Sequence, residues 1–286
     1  MSIESLRKKA KQIKLVVFDL DGTLLKSNHL IASSSLSAID ALRQKGIKIA
    51  IASGRIVTML GMYVHILKDV DYLISVNGGS IDDMRNSLTI SRRYVPAEET
   101  KHIIKYCLDH HLDCCLLTRT TSYFPQYSHR IQRFKAYNSQ ANQLGLPMID
   151  FKYYDHSLDE VHHIEKILIQ EIDTSKSNLF IEYIKQFSSL SHTTSDRFLI
   201  DISEKGISKG NAITSLARHM NISVDQVCSF GDYDNDISMF DVSGIAIAMG
   251  NASDSVQKKS DYVTRTNDDD GIYHAIQDIF NLDLKL

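Results

Sequence analysis

Residues 14–23 read KLVVFDLDGT, and this stretch decides the fold. From Lys14 to Leu20 the run is almost continuously apolar and ends on an acidic residue. A strand of a parallel sheet reads this way because helices cover both of its faces, leaving no polar side to alternate with. Outward from it, Ser33–Lys45 spaces Leu36, Ile39, Ala41 and Leu42 at helical intervals, with serines at the start and Gly46 behind the end as caps. Ile47–Ala52 and Tyr72–Val76 are further short apolar runs. Strand, helix, strand, helix, strand is the rhythm of a doubly wound α/β domain.

The C-terminal third repeats that rhythm. Phe198–Ile202, Val227–Phe230, Ile245–Met249 and Asp261–Val263 read as strands, and Lys209–Met220 and Gly271–Phe280 as helices. The block between about Asp83 and Leu190 differs: it is richer in histidine and tyrosine and holds all three prolines, Pro96, Pro125 and Pro147. Its helical patterns lie near Glu98–His111, Ser157–Ile164 and Ser175–Ser189, with strand-like CCLL and KILIQEI between them. The expectation is a Rossmann-like parallel-sheet core built from residues 1–82 and 191–286, with an α+β cap domain inserted at 83–190. Ser188–Ser195 reads as the return linker.

Composition bounds the function. The chain has 286 residues, 43% hydrophobic and 23% charged, with a net charge of −3, which suits a two-domain globular protein and gives no sign of a nucleic-acid or membrane-surface binder. Cys107, Cys114, Cys115 and Cys228 form no CxxC pair and read as reduced, half-buried thiols. The opening MSIESLRKKAKQIK is basic but lacks the apolar stretch of a signal peptide, and no run long enough to span a bilayer occurs. A soluble, cytoplasmic protein is expected.

In open parallel sheets ligands gather at the carboxyl ends of the strands. Here KLVVF ends at Asp19-Leu20-Asp21-Gly22-Thr23, IKIAIA at Ser53-Gly54-Arg55, and VCSF at Gly231-Asp232, followed by Tyr233-Asp234-Asn235-Asp236. Lys209-Gly210 opens a helix. Carboxylates that could hold a metal thus stand beside a hydroxyl, glycines and a lysine that could hold a phosphate.

DLDGT, then SGR, then SKG, then GDYDND, in that order, resemble the motifs of the haloacid dehalogenase superfamily. The large insertion between the second and third, Asn77-Gly78-Gly79 after the third strand, and the closing TRTNDDDG at Thr264–Gly271 are similar to its Cof-type phosphatases. The resemblance implies a Mg²⁺-dependent phosphatase acting on small phosphorylated metabolites: sugar phosphates, nucleotides or phosphorylated cofactors. Asp19 is then the nucleophile that forms an aspartyl-phosphate, and Asp21 the general acid and base. Mg²⁺ would be held by Asp19, the Asp21 carbonyl and Asp232, with Asp236 either joining its outer shell or orienting Lys209. Ser53, Gly54, Lys209, Asn235 and the Leu20 backbone would bind the phosphate. The ion pumps of that superfamily carry threonine at the position of Asp21, so hydrolysis is the expected outcome. A phosphosugar mutase and a weakly catalytic regulatory protein are the alternatives. The motifs leave the particular substrate and the oligomeric state open.

Duller readings compete at several positions. Lys205 rivals Lys209 as the phosphate lysine, with the SKG context favouring Lys209. Asp234 reads as a solvated loop acid, and Arg55 as either a substrate contact or a surface ion pair. Asp268-Asp269-Asp270 precedes a helix and reads as partner to its dipole rather than as a metal cluster. The pairs His110-His111 and His162-His163 fall on different helix faces and do not suggest zinc. Tyr123, Phe124 and Tyr127 could line a pocket or simply pack.

Overall fold

The computed structural model describes residues 1–155, 162–196 and 198–282. Among these the strands run, in chain order, β1 (Leu15–Asp19), β2 (Lys48–Ala52), β3 (Tyr72–Ser75), β4 (Ser80–Asp83), β5 (Leu88–Arg92), β6 (Asp113–Leu117) and β7 (Thr121–Pro125). They continue as β8 (Asp150–Tyr154), β9 (Lys166–Gln170), β10 (Leu190–Asp196), β11 (Leu199–Glu204), β12 (Val227–Gly231), β13 (Ile245–Ala248) and β14 (Tyr262–Val263).

One sheet has the order β14-β13-β12-β1-β2-β3-β4-β5, parallel from β14 through β3, with β4 antiparallel to β3. All five residues of β1 are buried, as its uninterrupted apolar reading requires. Leu15 and Val17 pack with Ile213, Leu216 and Ala217 of the helix Lys209–His219 in one core cluster. On the alternate positions Phe18 lies opposite Phe230 of β12, the rings stacked with centroids 4.9 Å apart. The chain leaves β1 toward β2 and β3 on one side, while β12, β13 and β14 extend the other. The strand order therefore reverses at β1, and the crevice at the carboxyl ends of β1 and β12 is the switch point where such sheets bind ligands.

The second sheet has the order β10-β11-β9-β6-β7-β8. Its pairs are antiparallel except β7 with β8, so the expected α+β architecture is present. Its helices include Ala97–Asp109, Ile131–Gln143 and Thr174–Ile184, and Ile103, Cys107, Ile167, Ile169 and Phe180 share its core. The helix expected at Ser157–Ile164 lies mostly outside the described residues.

Contacts divide the chain into one compact unit of Met1–Ser53, Leu67–Ile90 and the chain from Ser208 on, and another of Gly54–Ile66 and Ser91–Ile207. This moves the boundaries from the expected 83 and 190. Residues 80–92 continue the first sheet as β4 and β5, a half-polar stretch without strong apolar alternation. The supposed linker at Ser188–Ser195 becomes most of β10, and Phe198–Ile202, read as a core strand, falls mainly in β11, which pairs with β10 and β9. The antiparallel pairing of β10 with β11, local in sequence, keeps both in the second sheet. Gly54–Ile66 joins the second unit through Lys166 Nζ, which donates to the Gly54 carbonyl at 2.9 Å, and Tyr137 Oη, which donates to the Thr58 carbonyl.

No helix among the described residues is long and apolar enough to cross a membrane. The four cysteines are free thiols and all buried, more deeply than the half-burial expected.

Candidate active site

Asp19 is the last residue of β1, opposite Ala52 of β2, so Ser53 follows on the neighbouring strand end. Parallel pairing of β1 with β12 brings Gly231 and Asp232 to the other side. The helix Lys209–His219 starts on Lys209 behind the N-cap Ser208, whose hydroxyl accepts from the Asn211 N–H. Its first turn carries the buried ammonium into the cluster: Lys209 Nζ donates to Asp19 Oδ1 at 2.5 Å and to Asp236 Oδ1 at 2.6 Å. Of the two candidate lysines, Lys205 belongs to the other compact unit, where its carbonyl accepts from Arg93.

Asp19, Asp232 and Asp236 each offer a carboxylate oxygen within 4.8 Å of the others. Three buried or half-buried acids around one lysine leave the cluster short of positive charge. Burial, then the nearby Asp236, pushes the Asp19 carboxyl well above its ordinary value, with Lys209 pulling the other way. Burial and Asp236 likewise raise Asp232 to about 7, against the Thr23 hydrogen bond and Lys209. For Lys209 burial disfavours the charge, but Asp19 and Asp236 outweigh it and hold the ammonium above the ordinary lysine value. Lys209 is therefore charged, and it is Asp19 and Asp232 whose ionisation the burial opposes.

The acids are not equivalent. Both oxygens of Asp236 are engaged: Oδ1 by Lys209, Oδ2 by the backbone N–H groups of Asp232 (2.9 Å) and Tyr233 (3.1 Å). That geometry fits the reading in which Asp236 orients Lys209. Asp232 Oδ1 accepts from Thr23 Oγ1 at 2.9 Å, and Asn251 Nδ2 lies 3.4 Å from its Oδ2. A Cβ on Gly22, whose φ is +87°, would fall 2.2 Å from Asp232 Oδ2, so only glycine lets the loop sit this close. A tight cradle of hard oxygen donors with excess negative charge suits a small divalent cation. Among the described residues no histidine belongs to such a group.

Asp21 stands exposed two residues beyond Asp19, and its charge adds to the rise at Asp232. Leu20 is buried, its carbonyl accepting from the Leu25 N–H at 2.9 Å. Ser53 is buried with its N–H donating to Ile74 and its carbonyl accepting from the Asn77 N–H. Asn235 Nδ2 donates to Asn77 Oδ1 at 3.0 Å. Gly54 begins the other compact unit by contacts while remaining bonded to Ser53. Arg55 there donates to Tyr63 Oη at 3.0 Å, an intramolecular contact that neither earlier reading named.

The remaining candidates resolve into structural roles. Asp268 accepts from Ser27 N–H and hydroxyl, Asp270 from Ser34 Oγ at 2.6 Å, and Asp269 from Thr266 Oγ1 at 2.6 Å. Asp270 occupies the N-cap position of the helix Gly271–Phe280 without a side-chain bond to its N–H groups, and the triple acid instead ties neighbouring loops together at that helix start. Asp234 is exposed. Phe124 is fully buried and Tyr127 Oη donates to the Leu112 carbonyl, which is packing.

Sequence reasoning missed Asn251, and quoted Asn267 only as part of TRTNDDDG, without a role. Asn251 Nδ2 donates to the Gly22 carbonyl at 2.9 Å, its Oδ1 accepts from the Asn267 N–H, and Asn267 Nδ2 donates to the Leu25 carbonyl at 2.8 Å. Together they hold the Gly22–Leu25 stretch that follows Asp21. The signal was present: Asn251 stands just past β13, a fourth strand end to which the same carboxyl-end rule applied.

Comparison with known proteins finds relatives that span nearly the whole chain. A family model described as haloacid dehalogenase-like hydrolase matches residues 16–276. The 5-amino-6-(5-phospho-D-ribitylamino)uracil phosphatase YwtE of Bacillus subtilis is 30% identical, over 94% of this chain and 99% of its own. A haloacid dehalogenase-like hydrolase from Bacteroides thetaiotaomicron superposes with a TM-score of 0.81 at 25% identity, over 94% of this chain and 100% of its own. The subclass IIB sugar phosphatase BT4131 gives 0.76 at 26% identity, over 92% and 98%.

Proposed function

The chain belongs to the haloacid dehalogenase-like hydrolases, among the Cof-type phosphatases, and is a phosphoric monoester hydrolase; from that premise we propose that it hydrolyses a small phosphorylated metabolite through an aspartyl-phosphate on Asp19. The observation that carries this reading is the buried Lys209 bridge between Asp19 and Asp236 at the sheet's switch point. A carboxylate cannot approach a phosphate dianion without nearby positive charge, and Lys209 supplies it at the atom that would attack.

Asp19 attacks phosphorus, and the bond to the ester oxygen breaks as Asp21 delivers a proton to it. Asp21 then takes a proton from water, which attacks the aspartyl-phosphate and releases inorganic phosphate, returning both carboxylates to their starting state. The exposed position of Asp21 beside the buried Asp19 suits a group that must exchange protons with a leaving alcohol and with water. Ser53, the Gly54 N–H, the Leu20 backbone, Asn235 and Lys209 bind the phosphate oxygens, and Asp236 holds Lys209 in place.

The negative excess of the cluster and its oxygen donors fit Mg²⁺, which Asp19, the Asp21 carbonyl and Asp232 would hold. When bound, the ion neutralises phosphate charge as the carboxylate approaches. The second compact unit would select the leaving group. A phosphorylated sugar alcohol is the first compound to try, because the relative YwtE is named for a phosphoribityl substrate.

The test is phosphate release from a panel that adds phosphoribityl compounds to sugar phosphates, nucleotides, pyridoxal phosphate and flavin mononucleotide. Parent and Asp19→Asn are compared with Mg²⁺ and with chelator. Turnover that requires both Mg²⁺ and Asp19 is the expected result. Turnover that persists in Asp19→Asn would remove the covalent mechanism.

A further inference from the structure

The loop after β3 contains two consecutive non-glycine residues in the left-handed region: Val76 at φ +55° and Asn77 at φ +54°, ψ +26°. Asparagine tolerates this conformation, but a β-branched residue rarely adopts it. Val76 is fully buried and Asn77 nearly so, so the strain is not relieved by solvent-side freedom. Strain kept in a buried loop signals that surrounding contacts fix that loop for a purpose.

Those contacts converge on three of the candidate phosphate-binding positions. The Asn77 N–H donates to the Ser53 carbonyl at 2.9 Å. Its side-chain Oδ1 accepts from Asn235 Nδ2 at 3.0 Å. Next to it, Gly78 at φ +104° runs so close to Ser208 that a Cβ there would lie 2.3 Å from the Ser208 carbonyl, immediately before Lys209. The left-handed backbone aims the Asn77 N–H at one loop and lets its amide reach another.

We propose that Asn77 is a positioning residue for phosphate binding, fixing the Asn235 amide by accepting one of its two N–H bonds while clamping the Ser53 backbone. An amide has two N–H donors; with one held by Asn77, the other is oriented before any ligand arrives. A rigid donor loses less entropy on binding than one that must be immobilised by the phosphate. This rests on the proposed phosphate-binding role of Asn235, and Asn77 itself is not asked to touch the ligand.

The experiment measures the inhibition constant of inorganic phosphate, with p-nitrophenyl phosphate as reporter substrate, together with kcat, KM and Tm. The variants are Asn77→Gly, Asn77→Asp, Asn235→Ala and the double variant Asn77→Gly/Asn235→Ala. Glycine keeps the left-handed backbone and its N–H but removes the acceptor. Asn77→Gly is expected to weaken phosphate binding and raise KM about tenfold, the size of one orienting hydrogen bond, with kcat changing much less. In the Asn235→Ala background the same change is expected to cost less than about twofold, because its partner is gone. Asn77→Asp keeps an acceptor and suits the same backbone but adds a carboxylate beside the phosphate, so it is expected to keep the parental Tm while weakening phosphate binding through charge.

Parental phosphate affinity in Asn77→Gly, with Asn235→Ala weakened, would overturn the role of Asn77 and leave that of Asn235 intact. An equal loss from Asn77→Gly in both backgrounds would also overturn it. Parental affinity in Asn235→Ala would remove the underlying phosphate-binding reading, and this proposal with it. Should Asn77→Gly fail to fold, Asn77→Ser, whose shorter side chain cannot reach Asn235, decides through the same cycle: a loss that vanishes in the Asn235→Ala background supports the proposal, and an equal loss in both backgrounds overturns it.

Discussion

Magnesium binding is expected to be coupled to deprotonation of Asp232, with an affinity that climbs with pH until about 7 and then levels. In the metal-free protein burial and the neighbouring Asp236 raise this carboxyl from its ordinary 3.8 to about 7. Such a displacement corresponds to of order 4 kcal/mol against the ionised form inside the fold. A group whose folded value lies above its unfolded value favours the fold fully below about 4. That contribution is lost as pH rises through about 7. The metal-free protein should therefore lose stability between these limits from this group, and Mg²⁺ should restore it at pH 8. A cation that needs the carboxylate competes with one proton, so the apparent dissociation constant should be about 30-fold weaker at pH 5.5 than at pH 8. Asp19 is raised in the same direction, so 30-fold is the smaller bound if both must ionise.

Calorimetric titration of chelator-stripped protein at several pH values measures the affinity. Repeating it in buffers of different ionisation enthalpy counts the protons released. The parent should release close to one proton or more at pH 6 and few at pH 8.5, and Asp232→Asn should bind weakly at both. A dissociation constant constant within about threefold from pH 5.5 to 8 would refute the reasoning, since no proton would then be competing for the site.

Two further changes test the same cluster. Gly22→Ala puts a Cβ 2.2 Å from Asp232 Oδ2 at a residue with φ +87°, and is expected to cost about 1–3 kcal/mol in denaturant melts and to weaken Mg²⁺ at least tenfold; parental Mg²⁺ affinity would show that the close approach is dispensable. Lys209→Met strips the cation from Asp19 and Asp236 and is expected to cost about 3–5 kcal/mol at pH 8 and less at pH 5, because the raised Asp19 takes a proton as pH falls; an equal loss at both pH values would contradict the charge assignment.

The fold was legible where burial and hydrogen bonding are local to one element. KLVVFDL could be read as a two-sided buried strand because every residue of β1 is covered, and Ser208 and Lys209 announced a helix start that the structure contains. It was not legible where a strand's identity depends on its partner. Leu88–Arg92 is exposed or half-buried throughout, so its composition carries no core signal and only pairing within the first sheet makes it a strand. Leu199–Glu204 shows the opposite failure. Its first four residues are buried and match a core strand in composition, yet Ile200 and Ile202 pack into a different core. Hydrophobic pattern reports that a residue is buried, not against what.

The candidate site divides along the same line. Residues that carry charge into a buried place stand out, because uncompensated burial is costly and a chain keeps it only for a reason. Asp19, Lys209 and Asp236 could be picked from motif and strand end alone, and they are in direct contact. The neutral residues that hold them could not. Asn77, Asn251 and Asn267 act through single amide bonds to Asn235, Gly22 and Leu25, across sequence separations of 158, 229 and 242 residues. Nothing in the composition of those segments distinguishes an asparagine in a turn from one that fixes a distant loop. What distinguishes them is backbone conformation and pairing. Asn77 was quoted in its Asn77-Gly78-Gly79 stretch without a role; had the rule that ligands gather at strand ends been applied to β3 and β13 as well as to β1, β2 and β12, Asn77 would have gained one and Asn251 would have been named. The charged residues give the cluster its chemistry, while the amides set how closely its loops approach, and that division explains why one half was readable from sequence and the other required a fold.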